Sequence, residues 1–330
     1  MNDLLIGLAS VIAGATPVVV AIIGETISER SGVINLSVNG TILLSAMVGF
    51  AVGSATGNVF AGILAGVLIG ALSGVIVSFS SIVLKQSQVA VGFVLTLLFK
   101  DLSYFLGTPF MSANGPTIGS TPIPFLSEIP VIGQLFFKQS WLTYLSYLLI
   151  ILSYIFIFHT RQGLLLRAIG ERPDSAFARG IKVNKMRFLY TVIGGAMVGL
   201  AGPMYSLSVK AGWKGTLTGL DGIGWIVLAI TIFGGWNPLR GAFGGYLFVF
   251  LQWLGLVLQS SLPQIPSQVL QVAPFPLMIL TLLFVNIGET EWVARLLALL
   301  PEKLRKVFYR LINFLRTPPP ASLGVPFERE

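Results

Sequence analysis

Nine apolar stretches decide what this chain can become: Leu4–Ile23, Thr41–Gly57, Val59–Leu84, Val89–Thr108, Trp141–Phe158, Phe188–Ser208, Gly222–Gly235, Ala242–Ser260 and Leu270–Ile287. Most are close to the roughly 20 residues that cross a bilayer as a helix. In hydrocarbon every backbone N–H and C=O must be satisfied inside the protein, and a set of helices does that. The expectation is an all-α, polytopic helical membrane protein with about nine spans, some discontinuous; Gly222–Gly235 is short, so a count of eight to ten is open. Composition excludes the alternatives. Charged residues make up 10% of the 330, against about 25% in a soluble chain, and mean hydropathy is +0.85. A cytosolic enzyme would need a more polar surface, and a disordered chain would need far lower hydrophobicity. The first span is too long for a cleaved signal peptide and lacks its basic flank, so it is expected to be retained.

The basic residues set the orientation, because Lys and Arg collect in cytoplasmic loops. Arg161, Arg167, Arg172, Arg179, Lys182, Lys185 and Arg187 crowd one loop. With that loop inside, alternation puts 17 Lys and Arg on the cytoplasmic side and only Lys138, Lys210 and Lys214 outside, with Lys100 inside a span. The N-terminus is then outside and the C-terminus inside. The net charge of +8 therefore reflects topology, not nucleic-acid binding. Residues 1–287 are expected to form the transmembrane part and 288–330 a cytoplasmic tail. In that tail Leu304, Val307, Phe308, Leu311 and Leu315 keep helical spacing among Arg305, Lys306 and Arg310, as in a helix lying on anionic lipid. Pro318–Pro320 then begin a loose end.

Nothing in the chain resembles a catalytic centre. There is no cysteine and one histidine, so disulfides, thiolate sites and the usual multi-histidine metal sites are excluded. No Gly-Lys pair exists to build a phosphate-binding P-loop. His159 ends the fifth span and is read as an interfacial cap. No cofactor is expected. Glycines instead mark helix contacts: Gly62, Gly66, Gly70 and Gly74 share one face of the third span, with matching spacing at Gly49, Gly53 and Gly57 and at Gly195 and Gly199. Such stripes let backbones approach closely.

Three segments interrupt the hydrophobic pattern. Gly24–Gly40 carries Asn35, Ser37 and Asn39 at a spacing of two, which suits either unwound backbone at membrane depth or an ordinary loop with helix caps. Gly163–Arg187 contains Pro173, which can open a short helix, and Gly180, which can close it, around an apolar Ala176-Phe177-Ala178. That helix could offer Phe177 to a partner's groove, framed by Arg172 and Arg179. Gly219–Gly241 has glycines, a short apolar run and a Gly-Gly-Trp-Asn-Pro turn, the pattern of a discontinuous helix lining a path. Lys100 and Asp101 lie past the middle of the fourth span, where charge must face protein or a wet cavity, paired with another helix or contacting a solute. Asn35, Ser37, Asn39, Phe93, Thr96 and Trp225 are expected near a central cavity, where aromatic faces stack on rings and amides bond hydroxyls.

Together Ala15–Ala46, Leu166–Gly202 and Gly222–Gly245 resemble the permease subunits of binding-protein-dependent ABC importers in the branched-chain amino acid/simple sugar family, nearest to the nucleoside and simple-sugar branch. The resemblance runs over most of Thr16–Phe284 and leaves the tail outside. It implies a type II ABC importer-like permease in the bacterial plasma membrane. Its implied partners are a second permease (the same or a different chain), ATP-binding cassette ATPase subunits inside and a substrate-binding lipoprotein outside, with membrane lipid around it. The cargo implied is a small polar solute, a nucleoside or simple sugar. Gly170, Pro173, Ala176, Gly180 and Ile181 match the family's coupling segment, which would bring Arg172, Phe177 and Arg179 to the ATPase. Asn39 stands where that branch often carries Glu, Thr96 where it often has Asn, and Lys100–Asp101 where it has small or apolar residues. The competing reading is an ion-coupled secondary carrier, which usually needs membrane-embedded carboxylates; on the spans above only Asp101 qualifies. A channel would need a repeated filter or charge ring, which is not seen.

Overall fold

The structure is a computed structural model that describes residues 2–261, 276 and 318–329. Among these residues every regular element is helical. Seven helices are long and apolar enough to cross a membrane, and an eighth is apolar but short. The expected span Leu270–Ile287 and the amphipathic tail helix around Leu304–Leu315 lie outside the described residues.

Helix α1 (Asn2–Arg30) packs against helices that come later in the chain, from the fifth to the last described. Its 29 residues extend about 43 Å, well beyond the ~30 Å hydrocarbon core. It therefore runs seven residues past the expected end at Ile23. The residues that follow Ile23 are not a loop: Glu25 and Glu29 lie on its last two turns, 0% and 2% exposed. The expectation that Asp101 alone is an embedded carboxylate fails for this reason.

Helix α2 (Val38–Thr56) is buried along most of its length. It meets α3 (Val59–Ser78), which continues through a π-helical turn, Phe79–Val83. Helix α4 (Gln88–Gly107) follows, then α5 (Trp141–His159), the short α6 (Arg161–Glu171) and α7 (Pro173–Ala178), and α8 (Val183–Met204) with its own π-helical end, Tyr205–Val209. The glycine stripes are the α3–α8 contact. A Cβ at Gly199 would lie 2.5 Å from the Gly66 carbonyl oxygen, and one at Gly195 would lie 2.5 Å from that of Gly70. On the opposite face of α3, Phe60, Leu64, Leu68 and Leu72 are exposed, as suits lipid.

Gly222–Gly235 was expected to span. Instead α9 (Ile223–Phe233) has 11 residues, about 16 Å, half of a crossing. The other half is irregular chain from Lys210 to Gly222, with one 3-10 turn at Gly215–Thr218. Trp213 in that chain packs on Tyr104 near the end of α4. Helix α10 (Pro238–Ser261) begins at a proline, where the missing N–H costs nothing. The turn between α9 and α10 is tied to the end of α1: Arg30 Nε donates to the Trp236 carbonyl at 2.6 Å, and the Trp236 indole N–H donates to Glu29 Oε2 at 2.5 Å. Those two bonds hold Trp236 at a φ of +52°, which L-residues rarely adopt.

Candidate functional site

Between α1 and α2 the chain unwinds over residues 31–37 and climbs beside α4. The Ile34 N–H donates to Gln88 Oε1 at 2.8 Å, the Thr96 hydroxyl donates to the Leu36 carbonyl at 2.7 Å, and Gly40 rests on Thr96 and Phe99. From Gln88 to Phe99 is a rise of about 16 Å along α4, so α2 starts about half-way along that span. Of the two readings of Gly24–Gly40, the structure shows unwound backbone for residues 31–37, which run from Gly32 beside Arg187 at one end of the bundle to Leu36 beside Thr96.

Asn39 sits at that depth in the first turn of α2 and joins three elements. Its Nδ2 donates to Asp221 Oδ1 at 2.8 Å, and its Oδ1 accepts from the Gly222 and Gly224 N–H groups at 2.9 and 3.1 Å. A helix N-terminus leaves orphan N–H donors, normally met by a cap from the preceding residue. Here Gly222, at φ +95°, supplies no side chain, and α2 provides the cap instead. Gly224 is needed for this, because a Cβ there would collide with the Asn39 backbone. Lys100 closes the group with an ion pair to Asp221 at 2.5 Å, and about a third of each side chain is exposed (32% and 38%). Of the two readings of Lys100, pairing with another element is the one the structure shows, and its partner is Asp221 rather than the adjacent Asp101.

Phe93, Leu97 and Lys100 follow at i, i+4 and i+7 on one face of α4. Phe93 meets Trp225 of α9 at 6.3 Å between ring centroids, tilted by 44°. Both rings are open, Phe93 at 48% and Trp225 at 37%. The result is an exposed face with two aromatic rings below an amide-braced ion pair. Thr96 is behind it, 2% exposed, its hydroxyl used by Leu36.

Asn35 and Ser37 point elsewhere. The Ser37 hydroxyl donates to Asn35 Oδ1 at 2.6 Å and lies 2.8 Å from the Ser73 hydroxyl of α3, which is 2.8 Å from that of Thr41. Asn35 Nδ2 donates to Glu25 Oε2 at 3.4 Å. All five side chains are 2% exposed or less. This cluster fastens the unwound segment to α1 and α3. Glu25 is the residue missed from sequence; its helical phase with Glu29, four residues on, was the available signal.

At the end of the bundle where Arg30 lies, α6 and α7 form a bracket. Thr160 caps α6 by accepting the Gly163 N–H at 3.0 Å. Gly170 lets α6 touch the Arg30 carbonyl with backbone alone. Pro173 opens α7, and Gly180 at φ +81° closes it: the Gly180 N–H donates to the Phe177 carbonyl at 2.8 Å and the Ile181 N–H to the Ala176 carbonyl at 3.2 Å. That is the double bond of a left-handed glycine cap. Arg172 and Arg179 border a groove of 590 Å³ between α6 and α7 that also includes Arg161, Arg167 and Glu171. Phe177 points to the other side, 37% exposed, with its ring 5.6 Å from that of Phe327. The end of the chain is therefore not loose, contrary to expectation. Backbone carbonyls and buried side chains of this bracket hold it.

Residues 7–285 match the family described as branched-chain amino acid transport system / permease component. Among curated proteins the chain is similar to the putative glucose ABC transporter permease protein TsgC13 of Haloferax volcanii, 36% identical over 77% of this chain and 78% of that one. It is also similar to the nucleoside ABC transporter permease protein NupC of Lactococcus lactis, 32% identical over 86% and 92%, and to the guanosine ABC transporter permease protein NupQ of Bacillus subtilis, 31% identical over 81% and 88%. No solved structure matches. A helical bundle with a broken crossing and a polar face part-way along it fits what these relatives are, and the chain belongs to the branched-chain amino acid transport system permease family, as a multi-pass cell-membrane component of an ABC transport system and, like these relatives, not an enzyme.

Proposed function

We propose that this chain forms one half of the translocation path of an ATP-driven importer for a nucleoside or simple sugar. The observation that carries the reading is the face built by Phe93, Trp225, Lys100, Asp221 and Asn39. Rings stack on a base or sugar face, and the part-exposed Lys100–Asp221 pair, braced from behind by the buried Asn39 amide, can bond hydroxyls and ring nitrogens. Because the face is open, a second permease, the same or a different chain, closes the path. Asn35, Ser37 and Thr96 hold the wall from behind. Relatives named for nucleoside, guanosine and glucose transport support this cargo class. In the proposed topology the N-terminus is outside, residues 1–287 form the membrane part, and the α6–α7 bracket and residues 288–330 face the cytoplasm. ATPase subunits dock at the bracket and a substrate-binding lipoprotein docks on the opposite side.

The test is reconstitution with the cognate ATPase, second permease and lipoprotein in vesicles, measuring uptake of labelled guanosine and glucose. Uptake should require ATP and be competed by one class of solute. Uptake that persists without the ATPase and follows an ion gradient would instead identify a secondary carrier.

Within this reading Gly170, Arg172, Pro173, Ala176, Phe177, Arg179 and Gly180 form the coupling segment. Phe177→Ala should lower uptake about tenfold, as loss of an aromatic anchor does, and weaken ATPase co-purification while leaving lipoprotein binding intact. Arg179→Ala should do less, and its effect should shrink as salt rises. A Phe177→Ala transporter with normal uptake moves the coupling role off α7.

A further inference from the structure

Residues 318–329 cross the α6–α7 bracket as a strap with no helix or strand of its own. Its anchors are numerous and specific. The Ser322 N–H donates to the Gly170 carbonyl at 2.9 Å, and its hydroxyl donates to the same carbonyl at 2.5 Å. The Ala321 N–H donates to Glu171 Oε2 at 3.3 Å, and the Gly324 N–H to the Gly32 carbonyl at 3.0 Å. Asn184 Nδ2 donates to the Phe327 carbonyl at 3.2 Å. At the far end Arg329 pairs with Asp174 at 3.2 Å.

The central link is Arg187, near the start of α8 and 2% exposed. Its guanidinium donates to the Val325 carbonyl at 2.8 Å, to the Ser322 hydroxyl at 2.9 Å and to the Ile169 carbonyl at 3.2 Å. Burying a cation is costly unless its donors are satisfied, and here the two terminal nitrogens are bonded while Nε has no partner among the described residues. Two of these three acceptors belong to the strap, so undocking it would strip a buried charge of most of its partners. The strap is therefore a fixed part of this end of the bundle.

What it fixes is α7. A six-residue helix has little stability alone. Asp174 and Phe177, one turn apart, both face the strap, through Arg329 and Phe327. Phe327 is 9% exposed and lies behind Phe177, which keeps part of its own ring open. We propose that the strap is a positioning element for coupling: Phe327 props Phe177, and Arg187 locks prop, α6 and α8 into one unit, so that force received at α7 passes to α8 without being lost in a local hinge. This rests on the reading of α7 as the ATPase contact, which the Phe177→Ala experiment tests separately.

The test uses the whole reconstituted transporter and reads solute imported per ATP hydrolysed. Phe327→Ala should lower that ratio about tenfold while ATPase subunits still bind and ATP is still hydrolysed. Phe327→Tyr, which keeps the ring, should restore most of it. A loss of stability alone would change the amount of active protein and leave the ratio unchanged. Removal of residues 321–330 should act at least as strongly as Phe327→Ala. If it prevents assembly, the point substitutions still decide. Docking itself is read by an Asp174→Cys/Arg329→Cys pair, free of background because the chain has no cysteine. Its cross-link should form in the assembled transporter, and the locked protein should keep at least half of its uptake. A wild-type ratio in both Phe327→Ala and the truncation overturns the proposal. So does a locked protein that stops importing and recovers on reduction, since the strap would then have to move. If Phe177→Ala is silent but Phe327→Ala lowers the ratio, the strap couples and the α7 contact is misassigned.

Discussion

Asn39→Ala should reduce uptake by more than tenfold while leaving ATPase and lipoprotein binding unchanged. Its side chain makes three bonds, one to Asp221 and two to the first N–H groups of α9. Each is worth about 0.5–1.5 kcal/mol net, toward the upper end where a buried donor loses its partner. The expected loss at the site is roughly 2–4 kcal/mol. It falls on the start of α9 and on the orientation of Asp221, so the effect should appear in transport before it appears in assembly. Asn39→Asp is the sharper comparison. It keeps the shape but removes the donor and sets a carboxylate beside Asp221, so it should be no better than alanine. The Lys100→Asp/Asp221→Lys exchange should recover part of what Lys100→Asp alone loses, because the pair touches directly. Import at the normal rate by Asn39→Ala would remove this face from the path.

The second large effect is expected from Gly199→Val. Its Cβ would stand 2.5 Å from the Gly66 carbonyl oxygen and 2.6 Å from the Gly70 Cα, and neither is a side chain that can swing aside. Overpacking of this kind costs about 1–3 kcal/mol where neighbours can yield, and more where they are backbone. The purified protein should melt about 5–10 °C lower in detergent, and its yield should fall. Leu68→Val, on the outward face of the same α3, is the control and should change neither. Equal melting temperatures for Gly199→Val and wild type would mean that α3 and α8 do not meet through these glycines.

The long helices were legible because a bilayer imposes length and apolarity on contiguous residues. Helix α7 was legible because Pro173 and Gly180 act locally, through a missing N–H and a positive φ. The misses are tertiary. Near Gly24 only the four-residue spacing of Glu25 and Glu29 hints that α1 continues, and the partners that make their burial tolerable are remote: Asn35, and Trp236, which is 207 residues from Glu29. The glycines and proline of Gly219–Gly241 did signal a discontinuous helix, but not which of its residues would meet Lys100. The strap was the least legible. Its anchors are mostly backbone carbonyls, which every residue possesses, so Ser322–Phe327 carries no pattern of its own. Of the six path residues named from sequence, the structure gathers Phe93 and Trp225 on one face, sets the buried Asn39 and Thr96 behind it, and places Asn35 and Ser37 in the buried cluster beneath.

The glycine contact between α3 and α8 also has a mechanical side. Side chains that interdigitate can change rotamer and let two helices slip; bare backbones in register cannot, because each step of sliding drives a carbonyl into a Cα. The two helices behave as a single stiff beam. One end of that beam carries Arg187 and the bracket, and the other runs through Val209 into the irregular chain that leads to Asp221. A displacement imposed at the bracket would be carried by this beam as far as Val209, and among the described residues the compliance is left to the unwound residues 31–37 and the broken crossing, the two places where no helix has to bend.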